Sequence, residues 1–122
     1  MAGALRRGDV ATIVAPRDYG KPRPAVVVQT DFLNPTHASI VFCPFTTTER
    51  IDAPRFRLDF PASKETGLRH ASQLMIDKIV ALPLERVGRR IGSLSSEQMT
   101  DVDKALSVVL GLAERGETAD AG

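Results

Sequence analysis

The chain predicts a mainly β domain, a small and strongly curved antiparallel sheet or barrel, followed by one C-terminal α-helix. Three observations predict it. Proline and glycine, 17 of the 122 residues, fall at intervals and cut residues 1–92 into short segments. The segments between them are rich in β-branched and alternating apolar residues. The last third then changes to helical periodicity.

Taken in order, Gly8 to Val14 is β-branched and mixed, a first strand. Ala25 to Val28 is continuously apolar, as expected of a strand covered on both faces. Ser39 to Phe45 is a third apolar run, ending in threonines. Arg55 to Phe60 alternates strictly, with Phe56, Leu58 and Phe60 on the face expected to be core. Leu68 to Ile76 and Ile79 to Leu82 complete a set of five or six strands. Short helical turns are expected near 31–33 and 84–87. Ser95 and Gln98 have the form of a capping box. Met99, Val102, Leu106, Val109, Leu110 and Ala113 then recur at helical spacing. Glu97, Asp101 and Asp103 lie in the early turns, where the helix dipole favours negative charge. Residues 114–122 read as a polar tail to a single domain whose core spans about 6–113.

Composition narrows the functional classes. Hydrophobic residues make up 43% and charged residues 25%, an ordinary globular balance. No apolar run approaches the ~20 residues that span a bilayer, and Met1 to Gly8 has no apolar signal region. A cytoplasmic protein is expected. One cysteine, Cys43, excludes an internal disulfide framework and a Cys-based zinc cluster. The net charge of +1 conceals an asymmetry. Residues 1–90 carry 14 Lys/Arg against 9 Asp/Glu, and residues 91–122 carry 2 against 6. A basic body with an acidic end is compatible with a polyanionic partner and equally with a plain solvated surface.

Three segments carry candidate chemistry. In Tyr19-Gly20-Lys21-Pro22-Arg23-Pro24, prolines on both sides restrict the backbone and present Arg23 from a stiffened position before the apolar strand. In Pro44-Phe45-Thr46-Thr47-Thr48-Glu49, three hydroxyls leave the end of a strand, where they can donate to a phosphate. In Leu68 to Ile79, a strand reading puts Arg69, Ala71 and Gln73 on one face and His70, Ser72 and Leu74 on the other. Imidazole suits His70 to acid–base work. Each segment has an ordinary structural reading beside the chemical one: a solvated turn, a threonine-capped loop, a strand with a lone histidine. His37 reads as a loop residue. Aromatic residues amount to 5% with no tryptophan, so Tyr19 is the main candidate for base stacking.

In this order, the segments resemble the MazF/PemK/Kid family of toxin endoribonucleases from type II toxin–antitoxin pairs. The likeness opens at Arg7-Gly8-Asp9-Val10 and runs through Gly20-Lys21-Pro22-Arg23-Pro24-Ala25-Val26-Val27-Val28. It continues through Pro44-Phe45-Thr46 and Ser72-Gln73-Leu74-Met75-Ile76-Asp77-Lys78-Ile79 to the terminal helix. It covers roughly residues 6–113.

The resemblance implies an SH3-like barrel of the CcdB/MazF-like plasmid toxin fold, working as a homodimer. It implies metal- and cofactor-free cleavage of single-stranded RNA at short sequences, leaving a 2′,3′-cyclic phosphate and a 5′-hydroxyl. It also implies a cognate antitoxin whose acidic segment covers the basic groove. By the same resemblance, Arg23 and Thr46 match residues implicated in catalysis. His70 is the candidate proton-transfer group, and Tyr19, Lys21, Thr47, Arg69, Ser72 and Gln73 are candidate substrate contacts. Kid-like members carry an arginine and an aspartate two residues apart on the later strand. Here those positions fall on His70 and Ser72, or begin at Arg69 if the alignment slips by one, and no aspartate stands there. Two other readings share the fold expectation. One is a CcdB-like gyrase poison, which acts through an aromatic-Gly-Ile tail that this chain lacks. The other is an inactive SH3-like binding module.

Overall fold

The computed structural model describes residues 5–16, 18–34, 36–47 and 56–112. Within them seven strands precede one helix: β1 (Asp9–Ile13), β2 (Arg23–Val27), β3 (Ser39–Thr46), β4 (Arg57–Phe60), β5 (Ser72–Met75), β6 (Val80–Pro83), β7 (Val87–Ser93) and α1 (Ser96–Val109). All paired strands are antiparallel, in the order β4-β5-β3-β2-β1-β7, with β6 also pairing β3. No described helix is long and apolar enough to cross a membrane.

The apolar run predicted to be covered on both faces is so covered. Val26 and Val28 join a core with Val10, Cys43, Phe45, Leu74 and the α1 residues Val102, Ala105 and Leu106. Ala25 and Val27 point the other way, into a second core with Ala11, Ile13, Ile40, Phe42 and Leu82. Period-2 alternation in β2 and β3 therefore feeds two cores, not one core and solvent.

β3 is the organising strand. Its Phe42 pairs Val80 of β6, and its Phe45 pairs Leu74 of β5. Pro44, which has no N–H to give, falls at the handover between those two partners, where its missing donor is tolerated.

The helix forms as its sequence predicts. Gln98 N–H donates to Ser95 Oγ at 3.1 Å, and Ser95 N–H donates to Gln98 Oε1 at 2.8 Å. Of its stripe, Val102 and Leu106 are buried and Met99 and Val109 partly so, whereas Leu110 is exposed and Ala113 lies outside the described residues. The Arg7-Gly8-Asp9 opening clamps the fold. Arg7 reaches Val28 C=O and Asp103 of α1, and Asp9 Oδ2 accepts the N–H of Arg6.

Three expectations need correction. The described residues hold seven strands, because Val87–Ser93 is a strand where only a helical turn near 84–87 was expected. That turn exists as one 3₁₀ turn at Leu84–Arg86. Phe56 is 36% exposed and outside the core, while Phe42 and Phe60 are buried. The strand expected from Leu68 begins only at Ser72, so Arg69 and His70 stand in a turn. Thr48, Glu49 and Arg55 lie outside the described residues.

Candidate functional site

A groove of about 890 Å³ opens at one end of the first core. Its floor is apolar, made by Phe45, Leu68 and Ile91. Phe45 is braced from below by Phe60, edge-to-face at 5.4 Å between ring centres. Three basic or hydroxyl-bearing walls rise from that floor.

The first wall is the β1–β2 hairpin. Lys21 N–H donates to Asp18 C=O at 2.9 Å, and both central residues have positive φ, 52° at Tyr19 and 84° at Gly20. Positive φ at both central residues is the mark of a type I′ turn, which here tightens the middle of a nine-residue connection between Ile13 and Arg23, the last paired residues of the two strands. The turn sets Asp18 opposite Arg23. Arg23 Nε donates to Asp18 Oδ2 at 2.7 Å, Nη2 to Asp18 Oδ1 at 2.8 Å, and Nη1 to Phe45 C=O at 3.2 Å. Three of the guanidinium's five N–H bonds are thus committed, and two remain for a ligand.

The second wall is the end of β3, where Thr46 and Thr47 line the groove beside Arg23. The third is the turn carrying Arg69 and His70 together with the start of β5 at Ser72. In a continuous strand, residues 69 and 70 would face opposite ways. The turn breaks that alternation and lets both reach the groove.

The third wall is held against β7. Ser63, buried Thr66 and Leu68 tie the preceding loop together through side-chain and backbone hydrogen bonds. Ser93 N–H then donates to Glu65 C=O at 2.8 Å. A Cβ on Gly92 would overlap the Thr66 carbonyl, and one on Gly67 (φ 79°) would overlap the Ile91 carbonyl. The two backbones touch because neither residue has a side chain.

β7 adds two residues that the sequence did not indicate, Arg89 and Arg90, both lining the groove. Consecutive strand residues normally alternate faces. Here the register against β1 jumps twice, between Val10↔Gly92 and Ala11↔Arg90, and between Ala11↔Arg90 and Ile13↔Val87. The extra residues of β7 are bulges, which re-aim side chains and are common beside functional sites.

Of the sequence-predicted residues, Arg23, Thr46, His70, Lys21, Thr47, Arg69 and Ser72 are brought together around this groove. Tyr19 is 97% exposed at the hairpin tip and outside the groove lining. Gln73 is buried, donates to Asp59 Oδ1 at 3.0 Å, and is likewise outside it. Thr12 and Asp18 join Arg89 and Arg90 as lining residues that sequence reasoning missed. Asp18 lies immediately before the Tyr19–Pro24 segment, and a carboxylate five residues ahead of an arginine across a hairpin turn was the available signal. His37 sits in the β2–β3 loop, away from the groove.

Electrostatically the lining holds five Lys/Arg and one carboxylate, Asp18, which is engaged with Arg23. Among the described residues, no three His, Cys, Asp or Glu side chains converge to hold a cation. Cys43 is buried outside the groove, and burial pushes its thiol up to about 12. The arrangement is a basic cleft on an apolar floor, with guanidinium and hydroxyl donors turned toward one space. It is suited to an anionic, extended ligand.

Comparison with known proteins agrees. Residues 6–110 match the family model described as PemK-like, MazF-like toxin of type II toxin-antitoxin system. A probable endoribonuclease MazF from Mycolicibacterium smegmatis is 42% identical over 110 residues, covering 89% of this chain and 99% of that protein. Among solved structures, a mycobacterial endoribonuclease in complex with its cognate antitoxin superposes with a TM-score of 0.75 at 23% identity, covering 89% of this chain and 97% of that one. A Deinococcus radiodurans MazE-MazF structure superposes with a TM-score of 0.70 at 19% identity, covering 88% and 95%. With the family model spanning nearly the whole described domain, this chain belongs to the PemK-like, MazF-like toxins of type II toxin–antitoxin systems.

Proposed function

We propose that this toxin is a metal-independent endoribonuclease that cleaves single-stranded RNA, messenger RNA in particular, at short sequences in the cytoplasm. Its working form is a homodimer, and its inhibitor is a cognate antitoxin with an acidic segment that fits the basic groove. The observation that carries the reading is the convergence of Arg23, Thr46 and His70 on one groove.

RNA supplies its own nucleophile, the 2′-hydroxyl. The protein then has to remove the 2′ proton, protonate the departing 5′ oxygen and steady the charge on the pentacoordinate phosphorus. Arg23 offers its two uncommitted N–H bonds to the non-bridging oxygens. Thr46, on the strand end whose Phe45 carbonyl anchors Arg23, adds a hydroxyl donor. His70 moves one of the two protons and solvent water carries the other, so that the 2′ oxygen is deprotonated and the 5′ oxygen leaves as a hydroxyl. An arginine does not serve as base, since it stays protonated throughout the working range. The 2′ oxygen attacks phosphorus, the bond to the 5′ oxygen breaks, and the products are a 2′,3′-cyclic phosphate and a 5′-hydroxyl. Lys21, Thr47, Arg69 and Ser72 contact the strand on either side. Exposed Tyr19 offers a stacking face at the hairpin tip, and Gln73 bears on substrate through the placement of Ser72 beside it.

The test is incubation of purified protein with single-stranded RNA in EDTA, with end-group analysis of the products. Cleavage to cyclic-phosphate ends is expected, falling by about 10²–10³ in Arg23→Ala and in Thr46→Ala. No cleavage by the wild type, or undiminished cleavage by Arg23→Ala, overturns the reading. Gyrase inhibition without cleavage would instead assign the protein to poisons of the CcdB kind.

A further inference from the structure

The five cations around the groove are not equally available, and the contrast falls on neighbouring residues of β7. Arg90 donates Nε–H to Asp9 Oδ1 at 3.1 Å. Asp9 is 8% exposed and also holds the N–H of Arg6, so it is a fixed acceptor. Arg23 is similarly held by Asp18. The side chains of Arg69 and Arg89 are exposed, and among the described residues neither has a hydrogen-bond or ion-pair partner. They belong to two pieces of backbone, the turn after Gly67 and strand β7, that are locked together by the Gly67–Ile91 and Gly92–Thr66 contacts. The two backbones are closely packed there, and the two guanidinium groups upon them are uncommitted.

We infer that Arg69 and Arg89 form a second phosphate-binding point, which grips an RNA backbone phosphate flanking the one cleaved at Arg23, and that adjacent Arg90 takes no part. The inference rests on the proposed RNA substrate. A polynucleotide presents one phosphate per nucleotide, so a strand seated at Arg23 and Thr46 carries its neighbours along the same groove. A guanidinium fork matches phosphate oxygens. An unpaired cation that meets a phosphate releases counterions, whereas a cation already neutralised by a protein carboxylate adds little to that release. Arg90 therefore acts as a strut between β7 and the Asp9 turn.

The test is fluorescence anisotropy of the full chain with a short single-stranded 2′-O-methyl oligoribonucleotide across a sodium chloride series. That probe cannot be cut, since attack requires a free 2′-hydroxyl. Arg89→Ala and Arg69→Ala are each expected to flatten the slope of log affinity against log salt by about 0.7. Arg89→Lys keeps the slope, and so does Arg90→Ala. Thermal melts establish that each variant is folded, and Arg89→Gln replaces Arg89→Ala if the latter is not. Unchanged slopes for both Arg69→Ala and Arg89→Ala overturn the inference, as does an equal flattening by Arg90→Ala. Cleavage of ordinary RNA in EDTA is scored in parallel. Cleavage with unaltered slopes removes the second phosphate point alone. Altered slopes without cleavage support the phosphate point and remove the catalytic reading.

Discussion

Asp18 and Arg23 face each other across the β1–β2 turn with both carboxylate oxygens engaged, Oδ2 at 2.7 Å from Nε and Oδ1 at 2.8 Å from Nη2. The contact fixes the plane of the guanidinium, and the Phe45 carbonyl fixes its third corner. Asp18 is thus a positioning residue for the group proposed to stabilise the phosphorane. Asp18→Asn keeps the size and one acceptor but loses the bidentate charge pair. The expected cost in stability is below about 1 kcal/mol, as the pair is partly solvated. The expected loss in kcat is roughly ten- to a hundredfold, because a small misplacement of a catalytic group is costly. The acid limb of the pH–rate profile should keep its position, since Asp18 is not the base. Steady-state kinetics on a fluorogenic oligoribonucleotide would check it. A kcat within twofold of wild type removes the positioning role, and disappearance of the acid limb makes Asp18 the base.

Tyr19 pays for its place at the hairpin tip. It is the one non-glycine residue with positive φ among those described, and it is 97% exposed, so no packing compensates the strain. Strain retained at an exposed position points to use. Tyr19→Asn fits the left-handed region better and should raise stability by about 1 kcal/mol, a shift of about 4 °C in Tm for a domain of this size. If the ring stacks on a base, the same change weakens oligoribonucleotide binding by about 1–3 kcal/mol. Opposite signs in calorimetry and anisotropy are the expected outcome. A variant more stable and equally tight in binding would leave Tyr19 without a substrate role.

Cys43 supplies the pH prediction. Burial, first of all, raises its thiol from its ordinary value near 9 to about 12, with Asp77 adding to the rise and Arg7 opposing it. The folded chain keeps a proton that the unfolded chain gives up, so stability declines with pH between those two values. The contribution is complete below about pH 9 and is lost as pH climbs toward 12. Urea midpoints of wild type and Cys43→Ala should therefore converge between pH 8 and pH 10. At pH 8 the folded protein should resist iodoacetamide, and the urea-unfolded protein should react. Rapid alkylation of the native chain would show that the thiol is not enclosed.

How much of this was legible follows from the range of the forces involved. The apolar run at Val26 and the capping box at Ser95 and Gln98 are local signals, and both were read correctly. Strand β7 was not, because two bulges erase the alternation by which a strand is recognised, and Gly88 and Gly92 read as breaks. Arg69 and His70 were assigned to opposite faces by a rule that holds only inside a strand, and the strand starts at Ser72. Phe56 has the spacing of a core residue but falls one residue before β4 begins. The membership of Arg23, Thr46 and His70 in one site came from resemblance, and their shared groove is a product of sheet curvature that no local pattern encodes. Asp18 and the Arg90–Asp9 pair depend on tertiary contacts and left only weak traces in the sequence.

The last prediction concerns the seam that sets the groove's width. Gly67 combines a positive φ of 79° with a Cβ position that would overlap the Ile91 carbonyl, and the obstructing atoms are backbone, which cannot rotate away. Gly67→Ala therefore meets both a conformational penalty and a steric one, for a loss of roughly 3 kcal/mol of unfolding free energy. Gly20→Ala is the control, because Gly20 has a similar φ of 84° but open space around its Cβ position. It should cost about 1 kcal/mol, the conformational penalty alone. Urea denaturation of the two variants separates the terms. In the surviving folded fraction of Gly67→Ala, displacement of the Arg69–His70 turn away from β7 should raise KM for RNA and lower kcat together, since that turn carries both a substrate contact and the proposed proton-transfer group, whereas Gly20→Ala leaves the turn in place. Equal stability of the two variants would mean that the seam between the turn and β7 yields without cost, and that the groove's two basic walls are not held at a fixed separation.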